Sequence, residues 1–229
     1  KELAEIRARV QRRGNHEPVA YITGTRGFWE HDFKVDPRVL VPRPETEHLV
    51  EAAIQYLADI EEPRVVDVGC GSGCIAISVA QAVTGATVLG IDLSSDALVL
   101  AQENATALGA SSVDWAQGDL LDGQDGPFDL ILSNPPYIPT ADLTDLMPSV
   151  RDFEPHMALD GGEDGLNLYR RLIPQAYERL VPGGVLMVEI GHDQGVAVGD
   201  IFTGSGFCEV SIGKDYASLD RWIRGQRPV

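Results

Sequence analysis

Arg64-Val65-Val66-Asp67-Val68-Gly69-Cys70-Gly71-Ser72-Gly73-Cys74-Ile75 is the stretch that decides the fold. A short strand, Arg64 to Val68, runs into glycines at every second position, and a helical pattern, Ile75 to Val83, follows. Glycines at a strand-to-helix turn permit a tight reversal and let a ligand approach the backbone closely. The alternation continues downstream: strand Thr87 to Ile91, helix Ser95 to Leu108, strand Val113 to Ala116, strand Phe128 to Leu132. A long loop rich in Pro, Asp and Gly, Ile138 to Gly165, precedes a helix from Leu166 to Leu180, and Pro182-Gly183-Gly184 leads into a strand from Val185 to Ile190. A helix from Gln194 to Thr203 follows, and Glu209 to Ile212 pairs with Ser218 to Ile223 as a closing antiparallel ribbon. Such βα alternation with apolar strands predicts an α/β fold with a mostly parallel sheet covered on both faces. A loop as long as Ile138 to Gly165 reads as a lid or binding segment.

Upstream, Glu2 to Arg13 has helix-forming composition and stops at Gly14-Asn15. Leu3, Ile6 and Val10 at helical spacing, in a chain opening at Lys1 without Met, read as the end of something longer. Val19 to Ile22 and Gly27 to Val35, separated by Thr23-Gly24-Thr25-Arg26, predict a β-hairpin that links domains. After Pro42-Arg43-Pro44 an amphipathic helix is expected from about Thr46 to Ala58, with Leu49, Val50, Ala53, Ile54 and Leu57 on one face. Arg43 either holds a loop over the ligand site or belongs to a helix start, since Pro44, Glu45 and Glu47 suit a first turn.

The 229 residues are 44% hydrophobic, enough for a full core, and carry a net charge of −17. That charge disfavours a polyanion as main substrate, because such binding depends on neutralised phosphates. Cys70, Cys74 and Cys208 form no disulfide framework and no metal-ligand pattern, so they read as reduced cytosolic thiols. No apolar run reaches the length of a membrane span, and the charged N-terminal residues lack the core of a signal peptide. A cytoplasmic protein is expected. Asp160 to Gly165 lacks the ligand spacing of a calcium loop. His156 and His192 read as surface or structural residues.

The glycine turn by itself is a weak signal, but its charge is informative. A nucleotide site would grip phosphate at the helix N-terminus, and Asp67 immediately before the glycines has the wrong sign for that. A carboxylate suits a cation, and S-adenosylmethionine carries a sulfonium and an α-ammonium. At the end of the second strand of the repeat, Asp92 in Gly90-Ile91-Asp92-Leu93-Ser94 can accept both hydroxyls of a ribose. Its other reading is a helix cap shared with Ser94. Asp119, in Gly118-Asp119-Leu120 after the next strand, is placed either to meet an adenine amino group or as a plain turn residue.

The fourth strand ends in Ser133-Asn134-Pro135-Pro136-Tyr137. In doubly wound sheets ligands collect at the carboxyl ends of strands near the switch point. An amide or aryl amino nitrogen is a poor nucleophile because its lone pair is delocalised. Acceptance of its N–H groups by the Asn134 side-chain oxygen and the Pro135 carbonyl draws that lone pair toward a methyl donor, and both contacts strengthen as positive charge develops. Tyr137 packs against the flat face of the amide. The chemistry indicated is methylation of a planar nitrogen.

The chain resembles, from about Pro18 to Gly225, the class I S-adenosylmethionine-dependent protein glutamine methyltransferases that modify peptide chain release factors. The resemblance is carried by Pro18-Val19-Ala20-Tyr21-Ile22-Thr23-Gly24, Val41-Pro42-Arg43-Pro44-Glu45-Thr46-Glu47, the glycine turn, Ser133 to Ile138, Glu154-Pro155 with Ala158-Leu159, and Lys214-Asp215 with Asp220-Arg221. It implies a Rossmann-like, mostly parallel seven-stranded sheet, and methyl transfer to the side-chain amide nitrogen of the Gln in a release factor's Gly-Gly-Gln loop. It also implies three parts: residues 1–16 as the last helix of an N-terminal helical substrate-binding domain, 17–40 as a hairpin linker and 41–229 as the catalytic domain. Cofactor contacts are expected at Asp67, Gly69, Cys70, Gly71, Ser72, Gly73, Asp92, Leu93, Asp119, Leu120 and Asn134. Catalytic and substrate contacts are expected at Asn134, Pro135, Pro136 and Tyr137, with no metal. Some relatives have an aromatic beside the adenine where Leu120 stands.

The Asn-Pro-Pro-Tyr step is shared with adenine-amino methyltransferases of DNA or RNA, the rival reading. Those enzymes need a flipped base and a basic grip, which the net charge and the absence of Lys/Arg clusters oppose. A second rival is a sheet that only binds, and the intact glycine turn and Asn134 step speak against it.

Overall fold

In the computed structural model, which describes residues 2–229, the chain begins with α1 (Glu2–Gly14), α2 (Val19–Thr23) and a hairpin of β1 (Thr25–Phe28) and β2 (His31–Lys34). A 3-10 turn at Pro44–Thr46 leads into α3 (Glu47–Leu57). The repeat is β3 (Arg64–Val68), α4 (Cys74–Ala82), β4 (Thr87–Asp92), α5 (Ser95–Leu108), β5 (Val113–Gln117) and β6 (Phe128–Ser133). The chain closes with α6 (Pro148–Arg151), α7 (Asn167–Arg179), β7 (Leu180–Glu189), α8 (Gly195–Gly204), β8 (Cys208–Lys214) and β9 (Asp220–Gln226).

Seven strands form one sheet in the order β5-β4-β3-β6-β7-β9-β8; β3 to β7 run parallel and β9 pairs antiparallel with both β7 and β8. The chain first builds outward from β3 toward β5, then jumps back to lay β6 on the other side of β3. That reversal opens a crevice at the carboxyl ends of β3 and β6. The register is explicit: Val68, last in β3, pairs with Ser133, last in β6, and with Ile91 of β4. Hence the glycine turn, Asp92 and Asn134 emerge side by side.

Alternate residues of each strand feed opposite faces of the sheet. Val65, Val88, Leu130 and Met187 join Leu49, Val50 and Leu57 of α3 and Ile75 and Val79 of α4 in one core. Val66, Val68, Ile131 and Val188 join Tyr169, Leu172 and Ile173 of α7 and Val198 and Phe202 of α8 in the other. Each fully buried aliphatic or aromatic side chain contributes roughly 1.5–3 kcal/mol. The amphipathic face expected of α3 is the one that packs, with Ile54 at its edge.

Two local expectations are revised. Val19–Thr23 is a single helical turn rather than a strand, closed by Gly24 in the left-handed region (φ +81°). It forms because Tyr21 is drawn inward, where its hydroxyl donates to the Val39 carbonyl at 2.5 Å. The hairpin therefore comprises only Thr25–Lys34. It is docked on the parallel sheet's helices through Phe28 and Phe33, and Asn104 of α5 exchanges hydrogen bonds with both backbone groups of Lys34.

The segment from Ile138 to Gly165 is also not featureless: it holds 3-10 turns at Thr140–Asp145 and His156–Ala158 and the short α6. Its two ends are tied together where Ile138 N–H donates to Leu159 O and Gly161 N–H donates to Ile138 O. Among the described residues no helix is long and apolar enough to cross a membrane.

Candidate active site

The glycine turn closes on itself before it meets any ligand. The amides of Gly69 and Cys70 both donate to the Ile91 carbonyl, and Gly71 N–H donates to Asp92 Oδ2 at 2.8 Å. Gly71 and Gly73 adopt φ of +55° and +80°, values that L side chains rarely tolerate. A Cβ at Gly73 would also lie 2.8 Å from the Trp115 ring. From below, Asn104 donates to the Ser72 carbonyl at 2.9 Å. The turn is thus a preformed wall rather than a loop awaiting order.

That wall bounds a cleft of about 1080 Å³, counting its open mouth. Gly69, Cys70, Gly71 and Ser72 line one side; Asp92, Leu93, Asp119 and Leu120 line the next; Asn134, Pro135 and Pro136 close the third. Two expected cofactor contacts lie outside it. Gly73 caps α4 and supports the turn. Asp67 is fully buried on the face beneath α4, where its Oδ2 accepts the Ala76 amide at 3.1 Å. Burial pushes its carboxyl up to about 7, the Ala76 amide pulling it down and nearby Asp92 adding to the rise. The carboxylate that the sequence placed toward a cation is turned inward because Asp67 shares the parity of Val65, the face covered by α4.

Asp92 does not cap α5. The Ser94 hydroxyl does, accepting from Ala97 N–H, while Asp92 Oδ1 accepts from Ser94 N–H at 2.9 Å. Desolvation raises the Asp92 carboxyl, opposed by these backbone donors. As an acceptor-only group it retains lone pairs toward the cleft. The two arginines lining the cleft are matched by carboxylates: Arg38 by Asp36 and Arg43 by the buried Glu154, the latter at 2.6 Å. Arg171 likewise engages Asp119 at 2.7 Å.

Asn134 stands between this cleft and a neighbouring pocket of about 590 Å³, again counting its open mouth, which Pro135, Pro136, Tyr137, Ile138 and Glu189 also line. Its Nδ2 donates to Thr46 Oγ1 at 3.2 Å, and Thr46 Oγ1 donates to Glu189 Oε2 at 2.5 Å. Among the described residues no protein donor reaches Asn134 Oδ1 or the Pro135 carbonyl. Tyr137 is held by Gln194, whose amide donates to its carbonyl at 3.0 Å, and its hydroxyl sits 3.4 Å from Glu189 Oε1. Sequence reading missed Glu189, Asn104 and the polar role of Thr46. Their signal was present only as polar residues inside apolar elements, such as the Glu that ends Val185-Leu186-Met187-Val188. His156 and His192 are exposed, and neither lines the cleft.

The switch-point cleft and the sheet order define a class I S-adenosylmethionine-dependent methyltransferase. Residues 46–147 match the family model described as Methyltransferase small domain. A release factor glutamine methyltransferase of Geobacter sulfurreducens is 47% identical over 98% of this chain and 78% of its own length. One from Moorella thermoacetica is 46% identical, covering 95% and 78%. The solved structure of the release-factor-specific protein-(glutamine-N5) methyltransferase of Alicyclobacillus acidocaldarius superposes with a TM-score of 0.52 at 33% identity, covering 86% of this chain and all of that one. The chain belongs to the release factor glutamine methyltransferase family.

Proposed function

We propose that this protein transfers a methyl group from S-adenosylmethionine to the side-chain amide nitrogen of the Gln in the Gly-Gly-Gln loop of peptide chain release factors. The observation that carries the reading is the pair of acceptors at the end of β6. Asn134 Oδ1 and the Pro135 carbonyl are free of protein donors, while the other end of the Asn134 amide is held by Thr46.

The cleft fits the methyl donor. Ser72 Oγ, at the glycine turn that lines the cleft, is buried without a partner, and the arginine charges nearby are neutralised. Gly69, Cys70, Gly71 and Ser72 would hold the amino-acid end, Asp92 the ribose hydroxyls, and Leu93, Asp119 and Leu120 the adenine end. Gly73 and Asp67 would act by shaping the turn. When bound, S-adenosylmethionine supplies a methyl group activated by sulfonium.

The chain's own work is on the acceptor. Asn134 Oδ1 and Pro135 O accept the two amide N–H groups, so the nitrogen lone pair points across the cleft, and both bonds strengthen as charge builds on nitrogen. Pro135 and Pro136 fix the backbone that carries the second oxygen. Tyr137 covers the flat face. Alignment of acceptor and donor contributes up to roughly 7–11 kcal/mol of barrier lowering, against about 2.7–4 kcal/mol for one preorganised contact, so positioning dominates. The proton leaves to water after transfer.

A net charge of −17 favours a protein acceptor over nucleic acid, and a cytoplasmic site of action goes with that substrate. The division at 1–16, 17–40 and 41–229 belongs to the same reading; α1 has no buried residue and stands apart from the sheet's cores, which supports its assignment to another unit. The test is a side-by-side incubation of the protein and S-adenosylmethionine with a release factor and with duplex DNA. One added methyl on the Gly-Gly-Gln peptide, by mass, is the expected result. Methyl on adenine instead would overturn it.

A further inference from the structure

An asparagine amide has a donor end and an acceptor end that occupy nearly the same space, and only one orientation serves an N–H acceptor substrate. Thr46 offers a single hydroxyl proton. With Glu189 ionised, its carboxylate accepts only, so the Thr46 proton goes to Oε2 at 2.5 Å and the Thr46 lone pairs face Asn134. Those lone pairs can be met only by the Asn134 NH2, found at 3.2 Å, which leaves Oδ1 toward the site. With Glu189 protonated, its O–H can donate to Thr46 and release the Thr46 proton toward Asn134. The amide then gains by turning its oxygen away from the acceptor.

We infer that Glu189, acting through the Thr46 hydroxyl, sets which end of the Asn134 amide faces the acceptor, and that its ionised form is the working one. Glu189 is thus a positioning residue for methyl transfer. The inference rests on the reading of Asn134 Oδ1 as the acceptor for the substrate amide.

Glu189 is built to be held rather than to move. It closes β7, its main chain pairs with Trp222 of β9, and its carbonyl accepts the Tyr169 hydroxyl at 2.8 Å. The residue is buried, 2% exposed. Burial pushes its carboxyl up to about 7, opposed by the Thr46 hydroxyl, Arg221 and the Tyr137 hydroxyl, and reinforced by Glu45. The other groups around it, Tyr169 and Cys74, are kept neutral by burial. The switch from carboxylic acid to carboxylate therefore falls within the range of an ordinary assay.

The test is the pH profile of kcat for release-factor methylation between about pH 6 and about pH 8.5, read for the native protein, Glu189→Gln, Thr46→Val and Thr46→Ser. The native kcat should rise with pH through an apparent pKa near neutrality. Glu189→Gln should lose that limb and lower kcat on the order of tenfold to a hundredfold, with the cofactor Kd little changed. Thr46→Val should do the same, and Thr46→Ser should restore the limb. A flat native profile, or Glu189→Gln retaining both limb and rate, would overturn the inference. Asn134→Ala run in parallel separates the two readings: if it is slow while Glu189→Gln behaves as native, only the role of Glu189 falls. If Asn134→Ala turns over normally, the acceptor reading falls and takes this inference with it.

Discussion

The Ser133 hydroxyl donates to the Val68 carbonyl at 2.7 Å, a buried bond that links the last residues of β6 and β3. The segments that follow those two residues, the glycine turn after Val68 and Asn134-Pro135-Pro136 after Ser133, form two of the cleft's walls. Two segments 65 residues apart are thereby held at one separation.

Ser133→Ala should cost about 1–3 kcal/mol, since it deletes a buried donor from a main-chain acceptor. Urea denaturation would read the loss. A drop in kcat at saturating cofactor should accompany it, because the spacing of Asn134 from the turn is set at this bond.

Asn134→Ala should lower kcat on the order of 10²–10³-fold, as expected for removing one preorganised contact, while leaving S-adenosylmethionine affinity within a few-fold. Steady-state kinetics with calorimetric binding would separate the two. Equal losses in both would make Asn134 a structural residue.

Asp92→Ala should weaken cofactor binding by about 1.5–3 kcal/mol, the range of hydrogen bonds to a charged acceptor. The fold should survive, since Ser94 rather than Asp92 caps α5. Unchanged affinity in a calorimetric titration, with a lowered melting temperature, would return Asp92 to a purely structural role.

Arg43→Met should loosen the segment from Ile138 to Gly165. Glu154 is buried and accepts from Arg43 at 2.6 Å and from Val41 N–H at 3.0 Å, so loss of the cation leaves a partly unpaired anion. Arg43 is partly exposed, so about 1–3 kcal/mol is expected rather than the full penalty of a sealed pair. Faster limited proteolysis within that segment is the readout.

Stability should fall as pH rises from about 4 through about 7 for the part due to Asp67. Its carboxyl is raised to about 7 in the folded protein by burial, so the native state binds more protons than the unfolded chain across that window. Asp67→Asn should flatten the decline in melting temperature across it. An unchanged decline would assign the effect to other groups.

Local chemistry was legible where a segment's own residues settle its structure. Ser94 and Gly109 bracket α5 as cap and left-handed stop, and the expected limits, Ser95 and Leu108, are those observed. The short apolar strands alternating with helical stretches, and the spacing of the glycines after β3, announced a parallel sheet and a ligand turn, because hydrophobic pattern and glycine content are properties of short windows. Val19 to Ile22 misled for the same reason. Its branched and aromatic residues favour a strand locally, yet the buried bond from Tyr21 to Val39 outweighs that preference.

By itself the sequence determined the sheet class, the glycine turn, Asp92 as a carboxylate at a strand end, and the chemistry of Asn134 with its two prolines. Tertiary structure alone decided which way the carboxylates face: Asp67 beneath α4, Glu154 under Arg43, Glu189 against Thr46. Thr46 and Glu189 lie 143 residues apart, and their bond exists only because α3, which Thr46 precedes, packs on the sheet face against β7. Proton sharing between such groups depends on distances of a few ångströms and on the exclusion of water, and neither is encoded in any short stretch of chain.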